Sequence, residues 1–124
     1  MAWKVYKCDI CGRVFPTLED GDAPICCNQP MELLVAGTTD AAVEKHVPQV
    51  TVDGNKVKVA VGSVEHPMTA KHYITFIAIN TKNGGQIARL TPEDKPEAEF
   101  VIADGDEFIS AIEYCNLHGL WEGK

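Results

Sequence analysis

From Val50 onward the chain alternates apolar and polar positions with period two in short runs: Val50-Thr-Val52, Lys56 to Val61, His72 to Ile79, Gln86 to Leu90, Ala98 to Ile102 and Glu107 to Tyr114. Successive side chains of a strand point to opposite faces, so such runs predict strands with one side in a core. The breaks between them, Asp53-Gly54, Asn83-Gly84-Gly85, Thr91 to Pro96 and Asp104-Gly105, are built from turn-forming residues. Short strands at this spacing predict an all-β fold, an immunoglobulin-like antiparallel β-sandwich. Only Thr39 to Lys45 carries a helical pattern, a capped turn or two before Pro48.

Ahead of the sandwich, Trp3 to Lys7, Arg13 to Phe15 and Met31 to Val35 predict short strands around a loop at Asp20 to Pro24. So short a segment buries too little apolar surface to hold itself folded and needs a metal, a disulfide or a partner. Four of the five cysteines lie in it, whereas all four histidines and the last cysteine follow Ala36-Gly37. Two domains are therefore expected, a small metal-stapled one over residues 1–36 and the sandwich over 37–124.

Composition narrows the chemistry. Hydrophobic residues make up 45% and charged residues 23%, as in a globular protein. A formal net charge of −7 disfavours nucleic acid and anionic lipid as partners, because phosphate binding needs a basic face. Tyr73 to Ile79 is far shorter than the roughly 20 apolar residues of a membrane helix. The N-terminus has no signal-peptide core, so a cytoplasmic location is expected. Thiols stay reduced there, and the cysteines then point to metal or thiol chemistry rather than to disulfides.

Cys8-x-x-Cys11 and the adjacent pair Cys26-Cys27 supply four thiolates, a set that suits tetrahedral zinc or a single iron. Two C-x-x-C pairs are the usual arrangement, so the adjacent pair predicts a distorted tetrahedron. The spacing leaves open a zinc clip that only holds the small domain together. The second set is His46, His66, His72, His118 and Cys115, each at a strand end or loop, with Cys115-Asn-Leu-His118 in the turn after the last predicted strand. Singly, each histidine could be an ordinary core or surface residue and Cys115 a small hydrophobe. Jointly, two mononuclear sites account for every histidine and cysteine in the chain. Five donors exceed what zinc normally takes and leave a position open, which points to a catalytic iron.

Glu44-Lys-His-Val-Pro48, His66-Pro67, His72 and Cys115-Asn-Leu-His-Gly-Leu-Trp121 together resemble the signature of superoxide reductases. The N-terminal cysteine pattern is similar to the desulforedoxin-like domain of the two-iron desulfoferrodoxin class, a relative of the rubredoxin fold, and the likeness spans nearly the whole chain. The resemblance implies two mononuclear irons per chain. One is Fe(Cys)4 in Cys8, Cys11, Cys26 and Cys27; the other has His46, His66, His72 and His118 as equatorial ligands and Cys115 as the axial one. It implies one-electron reduction of superoxide to hydrogen peroxide, re-reduction by rubredoxin or a similar electron donor, and a homodimer. Lys45 would attract the anion, since screening cancels distant charge but not a cation beside the site. Glu44 would ligate the oxidised iron once product has left. Lys71 is expected to face away from the site by strand alternation, and Tyr114, Asn116 and Trp121 to pack around it without a chemical role. Rival readings are a non-enzymatic electron carrier, a superoxide dismutase and a zinc-stapled binding module.

Overall fold

A computed structural model of the chain describes residues 2–39 and 41–124. Two antiparallel sheets face one another. The first has the order β10-β7-β6, from β6 (Pro48–Asp53), β7 (Lys56–Val61) and β10 (Glu97–Val101). The second has the order β12-β11-β8-β9, from β8 (Ile74–Thr81), β9 (Gly84–Arg89), β11 (Phe108–Cys115) and β12 (Gly119–Gly123). On β7 the period-two pattern works as anticipated: Val57, Val59 and Val61 are buried against Ile74, Ile77, Ile79 and Phe100. Lys56 and Lys58 turn outward, where they meet Glu99 at 3.6 Å and Glu97 at 3.7 Å.

β8 and β11 are buried on both faces over most of their length. Their outer face is covered by the N-terminal unit, in which β1 (Lys4–Lys7) pairs with β2 (Val14–Thr17) and β5 (Glu32–Leu33). Val5 packs there against Phe76, Ala78, Ile112, Tyr114 and Leu120. Two-sided burial explains why β8 reads as an almost unbroken apolar run. Trp3 fastens the unit to the sheet: its N–H donates to Asn80 Oδ1 at 2.7 Å and its indole Nε1 to the Ile79 carbonyl at 3.0 Å. Gly85 makes room for the ring, because a Cβ there would lie 2.6 Å from the indole Nε1.

Four expectations need correction. The one helix among the described residues, α1, spans only Val43–His46, with Ala42 as N-cap and no side-chain cap bond; the Thr39 hydroxyl lies against Gly119 instead, and Asp40 falls outside the described residues. β8 begins at Ile74, so His72 precedes the strand in a bridge with Thr69, and the alternation invoked to turn Lys71 away does not apply. β11 is not the last strand. β12 follows it after three residues, disguised in the sequence by two glycines: Gly119 has φ 79°, a conformation that side chains rarely adopt, and at Gly123 a Cβ would overlap the Pro48 carbonyl. Lastly, β3 (Ile25–Cys26) and β4 (Gln29–Pro30) form a small hairpin whose turn residues, Cys27 and Asn28, both have positive φ, 51° and 63°. That conformation is the one a two-residue primed hairpin turn requires.

Two candidate metal centres

The first group is made by two tight turns. Cys8 follows β1, and the turn after it closes with Gly12 N–H donating to the Cys8 carbonyl and Cys8 N–H to the Arg13 carbonyl, each at 2.9 Å. Cys26 and Cys27 come from the β3–β4 hairpin. All four sulfurs lie within 4.8 Å of one another and none is in a disulfide. The Cys11–Cys26 and Cys26–Cys27 sulfur separations, 3.6 and 4.0 Å, bracket the edge of about 3.8 Å of a tetrahedron with metal–sulfur bonds of about 2.3 Å. The Cys11 N–H, at 3.5 Å from the Cys8 sulfur, is the main cause that lowers the Cys8 thiol to about 6. Cys26, donating to the Cys8 and Cys11 sulfurs, is pushed up to about 12, and Cys27 is raised for the same reason. Cys26 and Cys27 thus keep their protons until a cation displaces them, as thiolate metal sites do.

The second group gathers at one end of the sandwich. His46 closes α1, His66 and His72 lie on the connection from β7 to β8, Cys115 ends β11 and His118 sits in the turn to β12. A register shift between Tyr114 and Cys115 breaks the β11–β8 ladder beside the site; such bulges re-aim side chains. Neighbouring imidazoles follow one another around a ring at centroid separations of 4.7 Å (His46–His66), 4.6 Å (His66–His72), 4.9 Å (His72–His118) and 4.9 Å (His118–His46), and the diagonal His46–His72 is 6.5 Å. That ratio of diagonal to side is close to a square's. The Cys115 sulfur is 3.9 Å from His118 Nδ1 and within 4.8 Å of the ligating atoms of His46, His66 and His72, so it stands over the square rather than beside it.

Hydrogen bonds fix which ring nitrogens face inward. His46 Nδ1 contacts the Ala42 carbonyl at 2.7 Å and His66 Nδ1 the Pro67 carbonyl at 2.7 Å. A carbonyl only accepts, so both Nδ1 atoms donate and both Nε2 atoms carry bare lone pairs in the neutral rings. These two lone pairs meet at 3.2 Å, and His118 Nδ1 lies 3.2 Å from the same His46 Nε2. His72 Nε2 is buried without a partner among the described residues. Burial lowers the pKa of His66 to about 4 and that of His46 and His72 in the same direction, with the other imidazoles adding to it. His46, His66 and His72 are therefore neutral and ligand-ready near pH 7. Nitrogens about 2.1 Å from a central ion would form a square about 3.0 Å on a side, so the donor set fits one ion at its middle. Burial raises the Cys115 thiol, against the pull of the Leu117 and His118 N–H groups; a cation would reverse that balance.

Every histidine and cysteine singled out in the sequence is thus brought to one group or the other. Glu44 and Lys45 are exposed on α1, directly before buried His46. The Lys45 charge reaches both His46 and His72, and that of Glu44 reaches His46. Of the three residues expected only to pack around the site, Tyr114 turns away, beneath the N-terminal unit, where it stacks on Phe76 at 6.0 Å. The other two position ligands. Trp121 stacks on His46 at 5.1 Å and donates from Nε1 to the His118 carbonyl at 2.9 Å. Asn116 accepts from Tyr73 N–H at 2.9 Å and donates to the Lys71 carbonyl at 3.0 Å, tying the His72 segment to the Cys115 turn. Glu113 escaped the sequence reading altogether. It is fully buried with both carboxylate oxygens unpartnered among the described residues, and burial raises its pKa well above the usual range. Strand alternation in the Glu107 to Tyr114 run, which sets position 113 on the inward face with Ala111 and Cys115, was the signal available.

Comparison with known proteins follows the same division of the chain. The family model described as desulfoferrodoxin matches residues 38–124, and that described as the desulfoferrodoxin N-terminal domain matches 2–34. A desulfoferrodoxin homolog from Archaeoglobus fulgidus is 44% identical over 120 residues, 96% of this chain and 94% of the relative. The crystal structure of the superoxide reductase from Treponema pallidum superposes with a TM-score of 0.85 at 37% identity, covering 100% of both chains. The one-iron superoxide reductase of Giardia intestinalis superposes with a TM-score of 0.56 at 37% identity, covering 64% of this chain and 95% of its own.

Proposed function

The chain belongs to the desulfoferrodoxin family, and from that membership we propose that it is a superoxide reductase, converting superoxide, one electron and two protons into hydrogen peroxide at the histidine–cysteine centre. The observation that carries this reading is the pair of bare histidine lone pairs 3.2 Å apart in a square of imidazoles with a sulfur over its face. Iron held by His46, His66, His72, His118 and Cys115 would supply the electron and a free coordination position for a small ligand. The protein's own groups do the rest. His46 and His66 are locked in the tautomer that presents Nε2, and Trp121 and Asn116 hold the surrounding segments. Cys115, once ionised, would be the strongest electron donor of the set, and a thiolate ligand pushes electron density onto an iron it holds. Lys45 draws the small anion in, and Glu44 closes the position between turnovers.

The four-cysteine group is assigned a second mononuclear iron that also staples the N-terminal unit. Its exposed Cys11 and Cys27 offer an edge where an electron donor such as rubredoxin could meet the protein. Residues 1–36 form the desulforedoxin-like domain and 37–124 the catalytic one, a division supported by family matches that end at 34 and resume at 38. Five free thiols suit a reducing, cytoplasmic setting, and the family likeness supports a homodimer. The test is to mix the reduced, iron-loaded protein with pulse-generated superoxide. One peroxide per oxidised iron without oxygen release is expected; oxygen evolution would identify a dismutase, and an unreactive iron an electron carrier.

A further inference from the structure

Between β7 and His66 the chain runs through Gly62-Ser63-Val64-Glu65. This stretch is the seat of Glu44-Lys45-His46. The Glu44 carbonyl accepts from the Val64 N–H at 2.8 Å and from the Ser63 hydroxyl at 3.3 Å. Gly62 lies flat against the same three residues: a Cβ there would stand 2.6 Å from the Glu44 carbonyl oxygen, 3.0 Å from the Lys45 carbonyl carbon and 3.1 Å from the His46 nitrogen. All three are main-chain atoms, so no side chain can swing aside to admit a methyl group.

The seat itself has little freedom to retreat. Val61 is in the sandwich core, the His66 N–H donates to its carbonyl at 3.0 Å, and the Gly62 N–H donates to the Val64 carbonyl at 3.3 Å. At the other end of α1, the His46 ring is held by the Ala42 carbonyl and by the stack on Trp121. A group added at position 62 must therefore be accommodated by the exposed Glu44 and Lys45. We propose that Gly62 is a positioning residue for anion capture, its missing side chain setting where Lys45 and Glu44 stand beside the histidine square. The inference rests on the reading of those two side chains as the anion-handling pair.

A double-mutant cycle tests it in the full-length, iron-loaded protein, with Gly62→Ala, Lys45→Ala and the two combined. In Gly62→Ala both irons should remain, and the rate with superoxide should lose most of the about tenfold that loss of the Lys45 charge itself removes, with a flatter salt dependence. Added to Lys45→Ala it should cost nothing further, because residues acting through one another are not additive. Two readouts do not depend on turnover: the oxidised protein should bind azide several-fold more tightly as Glu44 is displaced, and the Val64 amide should exchange faster. Native rate, salt slope and azide affinity in Gly62→Ala, or a loss that adds in full to that of Lys45→Ala, overturns the proposal. If Gly62→Ala takes up no iron, Ser63→Ala, which removes one exposed hydroxyl, carries the test: its salt slope and azide affinity must move in the same directions, and unchanged values refute it. A wild-type protein inert to superoxide, or a Lys45→Ala protein as fast as wild type, would instead count against the functional reading, while azide affinity and Val64 exchange still decide the role of Gly62.

Discussion

At the scale of single residues, function is set by which atom of a side chain is left without a partner. His46 and His66 spend one nitrogen on a carbonyl and present the other bare, and His72 Nε2 is buried unpaired. Cys115 is the group that no neighbour could replace. Cys115→Ser should abolish superoxide reduction, because it removes the sole thiolate of a five-donor set, while the visible absorption of the four-cysteine centre persists. Native turnover in that variant would remove the sulfur from the proposed mechanism. In the proposed mechanism Lys45 acts at longer range. Its ammonium influences His46 and His72, so Lys45→Ala should slow the encounter about tenfold and Lys45→Arg should keep most of the rate, because attraction at a distance depends on charge more than on donor geometry. Stopped-flow rates at several ionic strengths check both, with the alanine variant the less salt-sensitive.

Among elements, the turns carry as much of the design as the strands. Asp106, in the loop before β11, accepts the Asn83 N–H at 3.0 Å and the Glu107 N–H at 2.8 Å and so joins that loop to the β8–β9 turn. Burial works to raise its pKa, but these bonds, one from the Thr81 hydroxyl and the charge of Lys82 outweigh it and hold the carboxyl below its ordinary value. As pH falls, the unfolded chain therefore takes up this proton first. The stabilisation is complete above the usual carboxylate pKa of about 4 and is lost as pH drops through the lower native value. Asp106→Asn should lower the melting temperature near neutrality and flatten its acid limb relative to wild type in parallel thermal scans. Most strands were legible because a half-buried strand writes its two faces into alternate residues, as Val57, Val59 and Val61 do between Lys56 and Lys58. β12 was not, because a positive φ at Gly119 and the Pro48 main chain against Gly123 dictated glycine and erased the alternation. The donors of both centres could be found by residue type alone. The supports could not, since Trp121 stacks on His46 and Asn116 donates to the Lys71 carbonyl, partners so far along the chain that no local spacing records them.

On the scale of the whole molecule, the N-terminal unit and the sandwich share one apolar layer, from Val5 through Phe76, Ala78, Ile112, Tyr114 and Leu120. Trp3 is its clasp. Because the ring is only half-buried, Trp3→Ala should cost somewhat less than the about 3–5 kcal/mol typical of truncating a buried aromatic. Denaturant titrations should show the four-cysteine absorption fading before the sandwich melts; a single transition at the native midpoint would mean that the clasp does not hold the unit in place. The shared layer has a consequence for the fate of the chain in a cell. Proteolytic nicking in the connection Val35-Ala36-Gly37, which lies between the two family matches, would leave every donor of the histidine–cysteine group on the larger fragment. It would also strip the cover from Phe76, Ala78, Ile112 and Leu120, creating an oily patch of the kind that drives clumping. The small unit thus acts as a solubility shield. A sandwich meant to live without it would need polar side chains at those four positions before any change to its histidine–cysteine end.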